Sequence, residues 1–173
     1  MCEVCIEHSC VDTCYTDALL MSGRSISVDE LFAIIQRDRQ YWGSQGGITL
    51  SGGEPLLQLD FAHAILKKSH DAYIHTAIET CGNVAWQHFE KTINYLDWIF
   101  FDIKHADIVQ HKVATGIGNE NIVNNIQMLN EYYKGDLVFR LPLIPGFNDS
   151  EKNLKSIAAI ISDTKWKIIK VLP

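Results

Sequence analysis

Four of the chain's five cysteines stand in its first 14 residues, as Cys2-x2-Cys5-x4-Cys10-x3-Cys14. Thiolates ligate soft metals, and spacing this close lets a short loop wrap a single centre. The pattern approximates the cysteine run of an iron–sulfur cluster, with a longer second gap and Tyr15 where proline is usual. Zinc competes for the same set, because Cys-x2-Cys also suits a zinc ribbon. His8 lies inside the segment and reads as a solvent-facing loop residue. A second group of chemistry-bearing residues is spread along the chain: Gly52-Gly53-Glu54, Glu79-Thr80, Asp102 with Lys104, and Arg140. Adjacent glycines let backbone polar groups approach a small molecule with no Cβ in the way. Acids and cations set beside such backbone suit a zwitterionic ligand, which needs both signs of charge within reach. Taken alone, Asp102 and Lys104 read equally as a structural ion pair, and a lone glycine pair as a plain tight turn. Cys81 stands apart from the other cysteines and reads as a buried structural thiol.

Composition narrows the partners. At 173 residues, 47% apolar and 21% charged, the chain suits one globular core. Its net charge is −6 and it has no long basic run, so nucleic acid and anionic membrane are poor partners. No apolar run approaches a membrane-spanning length. The opening Met1-Cys2-Glu3-Val4-Cys5 has neither the basic region nor the apolar core of an export signal. A cytoplasmic protein is expected, in which clustered cysteines mean metal rather than disulfides.

These residues need elements to hold them. Ser27-Val28-Asp29-Glu30 reads as a capping box, followed by an apolar helical face of Leu31, Ile34 and Ile35. Ile48-Thr49-Leu50 then makes a short strand. A helix from Asp60 leads to a strand over Tyr73–Ile78, and a stripe of Trp86, Phe89, Ile93 and Leu96 marks a third helix. Trp98–Ile103 is an apolar strand, Asn119 caps a helix that ends at Gly135, and Leu137–Leu141 is the next strand. Asp149 or Ser150 caps the following helix, and a last strand begins at Trp166. Trp42 and Trp86 fall on helical faces and read as core or interface.

Five strands and five helices in strict alternation argue a parallel α/β sheet built from right-handed crossovers. The apolar strands suit a sheet covered on both faces. Length and period leave a doubly wound sheet and a (β/α) barrel both open. In either architecture the glycines and charges lie at strand C-terminal ends, the ligand edge. One charged strand end is ordinarily a surface ion pair; four consecutive ones point to a site.

The extended run Thr49-Leu50-Ser51-Gly52-Gly53-Glu54-Pro55-Leu56-Leu57-Gln58 resembles the Gly-Gly-Glu motif of radical S-adenosylmethionine enzymes. Among them it is similar to that of the pyruvate formate-lyase activating enzyme family, the activases of glycyl radical enzymes. Glu79-Thr80-Cys81-Gly82, Phe101-Asp102-Ile103-Lys104-His105 and Arg140-Leu141-Pro142-Leu143-Ile144-Pro145-Gly146-Phe147-Asn148-Asp149 continue the likeness in order. Val171-Leu172-Pro173 resembles the start of a further family segment, so the resemblance spans essentially the whole chain.

The resemblance implies a partial (β/α)6 TIM-like barrel over residues 24–173 that lacks its first strand. Residues 1–23 would be the remnant of a ferredoxin-like cysteine-rich insertion, and Asp17-Ala18-Leu19 fits its end. Those insertions hold two cysteine sets, and one is present here. With that context Cys2, Cys5, Cys10 and Cys14 would hold an auxiliary 4Fe–4S cluster. The backbone of Gly52-Gly53-Glu54 would pair with the methionyl amino group of S-adenosylmethionine, and Lys104 would meet its carboxylate. Glu79, Thr80 and Asp102 would lie beside it, holding a monovalent cation. Arg140 would face the cofactor and the incoming glycine loop.

The implied activity is reductive cleavage of S-adenosylmethionine to install a glycyl radical on a partner enzyme, with electrons from a flavodoxin or ferredoxin. A non-catalytic remnant that binds the partner or a cluster, and a radical enzyme acting on a small molecule, are the alternatives. The superfamily's Cys-x3-Cys-x2-Cys is absent: Cys10 and Cys14 give Cys-x3-Cys, but Thr16-Asp17-Ala18 supplies no third thiol. Both ends of the chain read as cut, and the expectation is a polypeptide that does not itself cleave the cofactor.

Overall fold

The computed structural model describes residues 9–16, 18–19, 23–43 and 46–173. Its centre is a five-stranded parallel sheet of β1 (Gly47–Leu50), β2 (His75–Thr80), β3 (Trp98–Asp102), β4 (Asp136–Pro142) and β5 (Ile169–Leu172). The helices are α1 (Ser9–Asp12), α2 (Val28–Asp38), α3 (Leu59–Asp71), α4 (Trp86–Thr92), α5 (Ile108–Thr115), α6 (Glu120–Tyr132) and α7 (Glu151–Ser162). Among the described residues no helix is long and apolar enough to cross a membrane.

Strand order decides the architecture that periodicity leaves open. The strands lie in the order β1-β2-β3-β4-β5, each parallel to the next. A doubly wound sheet reverses its order at a switch point. Here nothing reverses, so right-handed crossovers keep the connecting helices on one face, the winding of a (β/α) barrel. The sheet is an arc of such a barrel. Its register sets the strand ends side by side: Leu50 against Ile78, Thr80 against Phe101, and Asp102 against Arg140.

The helix-side residues of β2, β3 and β4 form the main core. Ile78, Ile99, Phe101, Leu137, Phe139 and Leu141 pack with Leu66 of α3, Phe89 of α4, Ile126 and Leu129 of α6, and Ile157 of α7. A smaller cluster of Ile35, Ile65 and Ile74 takes up Leu31, Phe32 and Trp42 under α2. Trp42 and Trp86 therefore both contribute to core packing, as their positions predict. Along each strand alternate residues turn to the opposite, concave face. Trp98 and Phe100 stack there with ring centroids 6.0 Å apart, one step below Asp102.

The expectation that the strands are covered on both faces needs correction at the edges. β5 is exposed over Ile169, Lys170 and Val171, and β1 is only partly buried. Among the described residues each pairs on one side only.

Local chemistry explains most of the elements. Ser27 and Glu30 form the expected capping box, with the Ser27 amide donating to Glu30 Oε2 at 2.8 Å. Ser150 caps α7 by accepting from the Asn153 amide. The strict alternation fails between β3 and β4, where two helices stand. The unexpected one, α5, buries His111 and exposes Val109 and Val113, so its polarity runs against the helical pattern that sequence reading seeks. Its ends are nonetheless well made: Asp107 accepts from the amides of Val109 and Gln110, and Gly116 closes it at φ +83°. The expected strand start at Tyr73 is displaced to His75, because Tyr73 adopts φ +57° and turns the chain. The last strand begins at Ile169 rather than Trp166. The Trp166 indole is instead drawn to the Gly135 carbonyl at 3.2 Å.

Candidate functional site

Past the end of β1 the chain bends at Gly52, whose φ of +116° selects glycine. A Cβ built on Gly52 or Gly53 meets nothing within 4 Å, so this backbone lies bare toward open space. Glu54 then turns back and caps a short 3-10 turn, Pro55–Gln58. The neighbouring turn after β2 is fixed by Gly82, at φ +70°, where a Cβ would lie 2.1 Å from Phe101 Cζ. Together these turns open a cavity of about 260 Å³ lined by Ser51, Gly52, Gly53, Glu54, Glu79, Thr80, Cys81, Asp102, Lys104 and Arg140. Every residue that the sequence assigns to the strand-end site lines it.

The charges alternate across the mouth. Ser51 Oγ donates to Glu79 Oε2 at 2.9 Å, and Arg140 joins Glu79 Oε1 and Asp102 Oδ1, both at 2.8 Å. Lys104 stands 3.6 Å from Asp102 Oδ2, so the structural ion pair between them does form. The Arg140 guanidinium also lies over the Phe100 ring, 5.6 Å from its centroid. Hydrogen bonds from Ser51 and Arg140 hold the Glu79 carboxyl below the usual carboxylate range. Burial works against the charge on Arg140, but its bonds to Asp102 and Glu79 outweigh that and push its pKa up.

Glu79, Thr80 and Asp102 all line the cavity, each paired with a protein group. Arg140 stands between the two acids, and the Thr80 hydroxyl turns to the Glu54 carboxylate at 2.8–2.9 Å. Among the described residues no group of three or more His, Cys, Asp or Glu is arranged to hold a metal ion.

Two lining residues escape the sequence reading. Ser51 follows a strand end and precedes the glycine pair, a position that could have flagged it. Cys81 is half-buried rather than buried, and its thiol donates to Glu54 at 3.2 Å. Burial, chiefly, pushes that thiol's pKa up.

Buried asparagines hold the rim beneath Lys104 and Arg140. Asn148 donates to the carbonyls of Lys104 and Pro142 at 2.9 and 2.8 Å and accepts from the Ile144 amide at 2.7 Å. Asn153 accepts from the Ala106 amide and donates to the Asn148 carbonyl. Asn119, expected as a helix cap, instead donates its side-chain amide to the carbonyls of His105 and Ala106. The loops after β3 and β4 are thus tied into one body.

Of the N-terminal cysteines, Cys2 and Cys5 lie outside the described residues. Cys10 is exposed on α1 and Cys14 is half-exposed just beyond it. A hydrogen bond from the Thr16 side chain, at 3.7 Å, leads the contacts that lower the Cys14 pKa to about 7, toward the thiolate that a metal requires.

Residues 12–156 match the family model described as the Radical SAM superfamily. The chain belongs to the radical SAM superfamily. Members of this superfamily use S-adenosylmethionine and a 4Fe–4S cluster. The 4-hydroxyphenylacetate decarboxylase activating enzyme of Clostridioides difficile (strain 630) is 44% identical over 174 residues, spanning 100% of this chain and 55% of that protein. The isethionate sulfite-lyase activating enzyme of Oleidesulfovibrio alaskensis is 38% identical over 94% of this chain and 53% of its own length. The chain thus spans about half the length of the curated relatives it matches. Among solved structures, a domain of a pyruvate-formate lyase-activating enzyme from Bacteroides vulgatus superimposes with a TM-score of 0.67 at 32% identity. That match covers 74% of this chain and 80% of the domain. In radical SAM terms the sheet is a partial TIM-like barrel, as the resemblance implies.

Proposed function

We propose that this chain is the S-adenosylmethionine-binding part of an activating enzyme that installs a glycyl radical on a partner enzyme. The observation that carries the reading is the strand-end cavity, which sets bare glycine backbone beside an alternating row of acids and cations. S-adenosylmethionine carries an ammonium, a carboxylate and a sulfonium. The open Gly52-Gly53 backbone suits the ammonium and Lys104 the carboxylate. Glu79 and Asp102, each neutralised in part by Arg140, border the cationic centre. Bound together with the superfamily's reduced cluster, the cofactor would supply the radical chemistry needed to take hydrogen from a glycine of the partner. The part played by this chain's own residues is to bind the cofactor, orient it and hold the charges that face it.

The residues present fit the cofactor's amino-acid end but not the superfamily's cluster, because Cys-x3-Cys-x2-Cys occurs nowhere in these 173 residues. The N-terminal cysteines are read as ligands of an auxiliary 4Fe–4S cluster within a cysteine-rich segment, residues 1–23, ahead of the barrel at 24–173. A flavodoxin or ferredoxin as electron donor and a cytoplasmic setting complete the reading.

The test is equilibrium dialysis of labelled S-adenosylmethionine against the 173-residue chain. Saturable binding at one site is expected, weakened about tenfold in Lys104→Ala by loss of a charged hydrogen bond. The reduced chain should release no 5′-deoxyadenosine. Absence of binding at millimolar ligand would refute the site, and 5′-deoxyadenosine release would refute the division of labour.

A further inference from the structure

Glu54 belongs to the glycine turn that the reading above places against the cofactor, yet its carboxylate does not face the cavity free-handed. Oε1 accepts from the Leu56 amide at 3.3 Å and from the Thr80 hydroxyl at 2.9 Å. Oε2 accepts from the same hydroxyl at 2.8 Å, from the Cys81 amide at 2.9 Å and from the Cys81 thiol at 3.2 Å. Thr80, 3% exposed, in turn accepts the Gly82 amide at 2.9 Å. The donors come from two chain segments, the turn after β1 and the turn after β2. A carboxylate has about four lone-pair directions, and these contacts occupy them.

We infer that the Glu54 side chain is a positioning residue: it clamps the β2 turn to the glycine turn and so fixes the Gly52-Gly53 backbone, rather than binding the ligand's ammonium itself. The glycines need such a clamp. Nothing packs within 4 Å of where their Cβ atoms would be, and glycine is the residue with the most backbone freedom to lose. Their order must therefore be imposed from the flanking residue. The donor set also explains why an acid stands at this position: the Leu56 and Cys81 amides donate to different oxygens of Glu54, and a side-chain amide would turn a hydrogen of its own against one of them. The consequence for ligand binding rests on the S-adenosylmethionine reading; the clamp itself does not.

The experiment is backbone NMR on the 173-residue chain, followed by titration with S-adenosylmethionine. In the wild type, the Cys81 amide should exchange slowly although it lies beyond the end of β2. Fast, unprotected exchange there overturns the clamp without recourse to any variant. In Glu54→Gln the Cys81 amide proton should lose its downfield shift, and the heteronuclear NOE of Gly52 and Gly53 should fall. Affinity for S-adenosylmethionine should weaken about tenfold, the loss expected for one charged hydrogen-bond set. Thr80→Val should reproduce these changes, and the double variant should be little worse than either single one, because both cut the same link. Affinity that falls in Glu54→Gln while Gly52 and Gly53 stay as ordered as in the wild type overturns the inference in favour of direct ligand contact. If the glycines loosen but the wild type binds no S-adenosylmethionine, the clamp stands and the cofactor reading falls.

Discussion

Arg140 is the residue on which the charges of the cavity close. It joins Glu79 and Asp102 at 2.8 Å each, with its side chain only 16% exposed. In Arg140→Ala the two acids face each other with their shared cation gone. Loss of about 2 kcal/mol is expected, as for charged hydrogen bonds in a partly buried setting, read from the urea midpoint with an unchanged slope. The pH dependence follows from Glu79. Its folded pKa lies below the ordinary value of 4.5, so its contribution is fully present above that pH. The contribution fades as the pH drops further and the folded carboxyl is protonated. Urea midpoints measured from pH 7 to 3 should hold and then decline on the acid side of 4.5, and Glu79→Gln should flatten part of that decline. An unchanged acid limb in Glu79→Gln would remove Glu79 as its source. The site residues were legible one by one, because glycines, acids and cations at strand ends declare their chemistry by type. Cys81 and Ser51 were not, since what they touch is supplied by neighbouring segments: Glu54 for the one, Glu79 for the other.

At the scale of elements, Asn148 joins the loops after β3 and β4. It is fully buried and serves two carbonyls and one amide. Asn148→Ala leaves those backbone groups without their partner and should destabilise the chain by about 3 kcal/mol, measured by urea unfolding. A loss below about 1 kcal/mol would mean that water replaces the side chain readily. Helices with apolar stripes were legible: α2, α3, α6 and α7 all stand close to where their periodicity places them. α5 was not, because a buried histidine and exposed valines invert the pattern, and its capping by Asp107 becomes visible only once its amides are in place. Asn119 stands at the N-terminus of α6 as expected, but its side chain caps nothing there. A cap side chain and a tertiary donor look alike in sequence, and the loop after β3 claimed this one.

At the largest scale, the described residues form an arc whose edge strands have one neighbour each. The strands' existence and parallel sense were readable from alternation with helices. Barrel-type winding was not readable from the period, which a doubly wound sheet shares; in the sequence the motif resemblance alone pointed to it, and in the structure strand order separates the two. The arc predicts a gradient of stability. Amides of β3 and β4, flanked on both sides and packed on the main core, should exchange with solvent last. Those of β5, exposed along most of its length, should exchange first. Exchange read by mass spectrometry tests this, and protection of β5 equal to that of β3 would contradict it.

Strand order that follows chain order has a consequence for change over evolutionary time. To walk across the cavity mouth from Gly52 to Glu79, Asp102 and Arg140 is to walk down the polypeptide, so position in the sequence serves as a map coordinate on the surface. Each connection owns its own stretch of rim. An insertion in one of them remodels that stretch while every other strand end keeps its alignment. A lineage built this way can alter the rim one loop at a time without re-tuning the charged groups underneath.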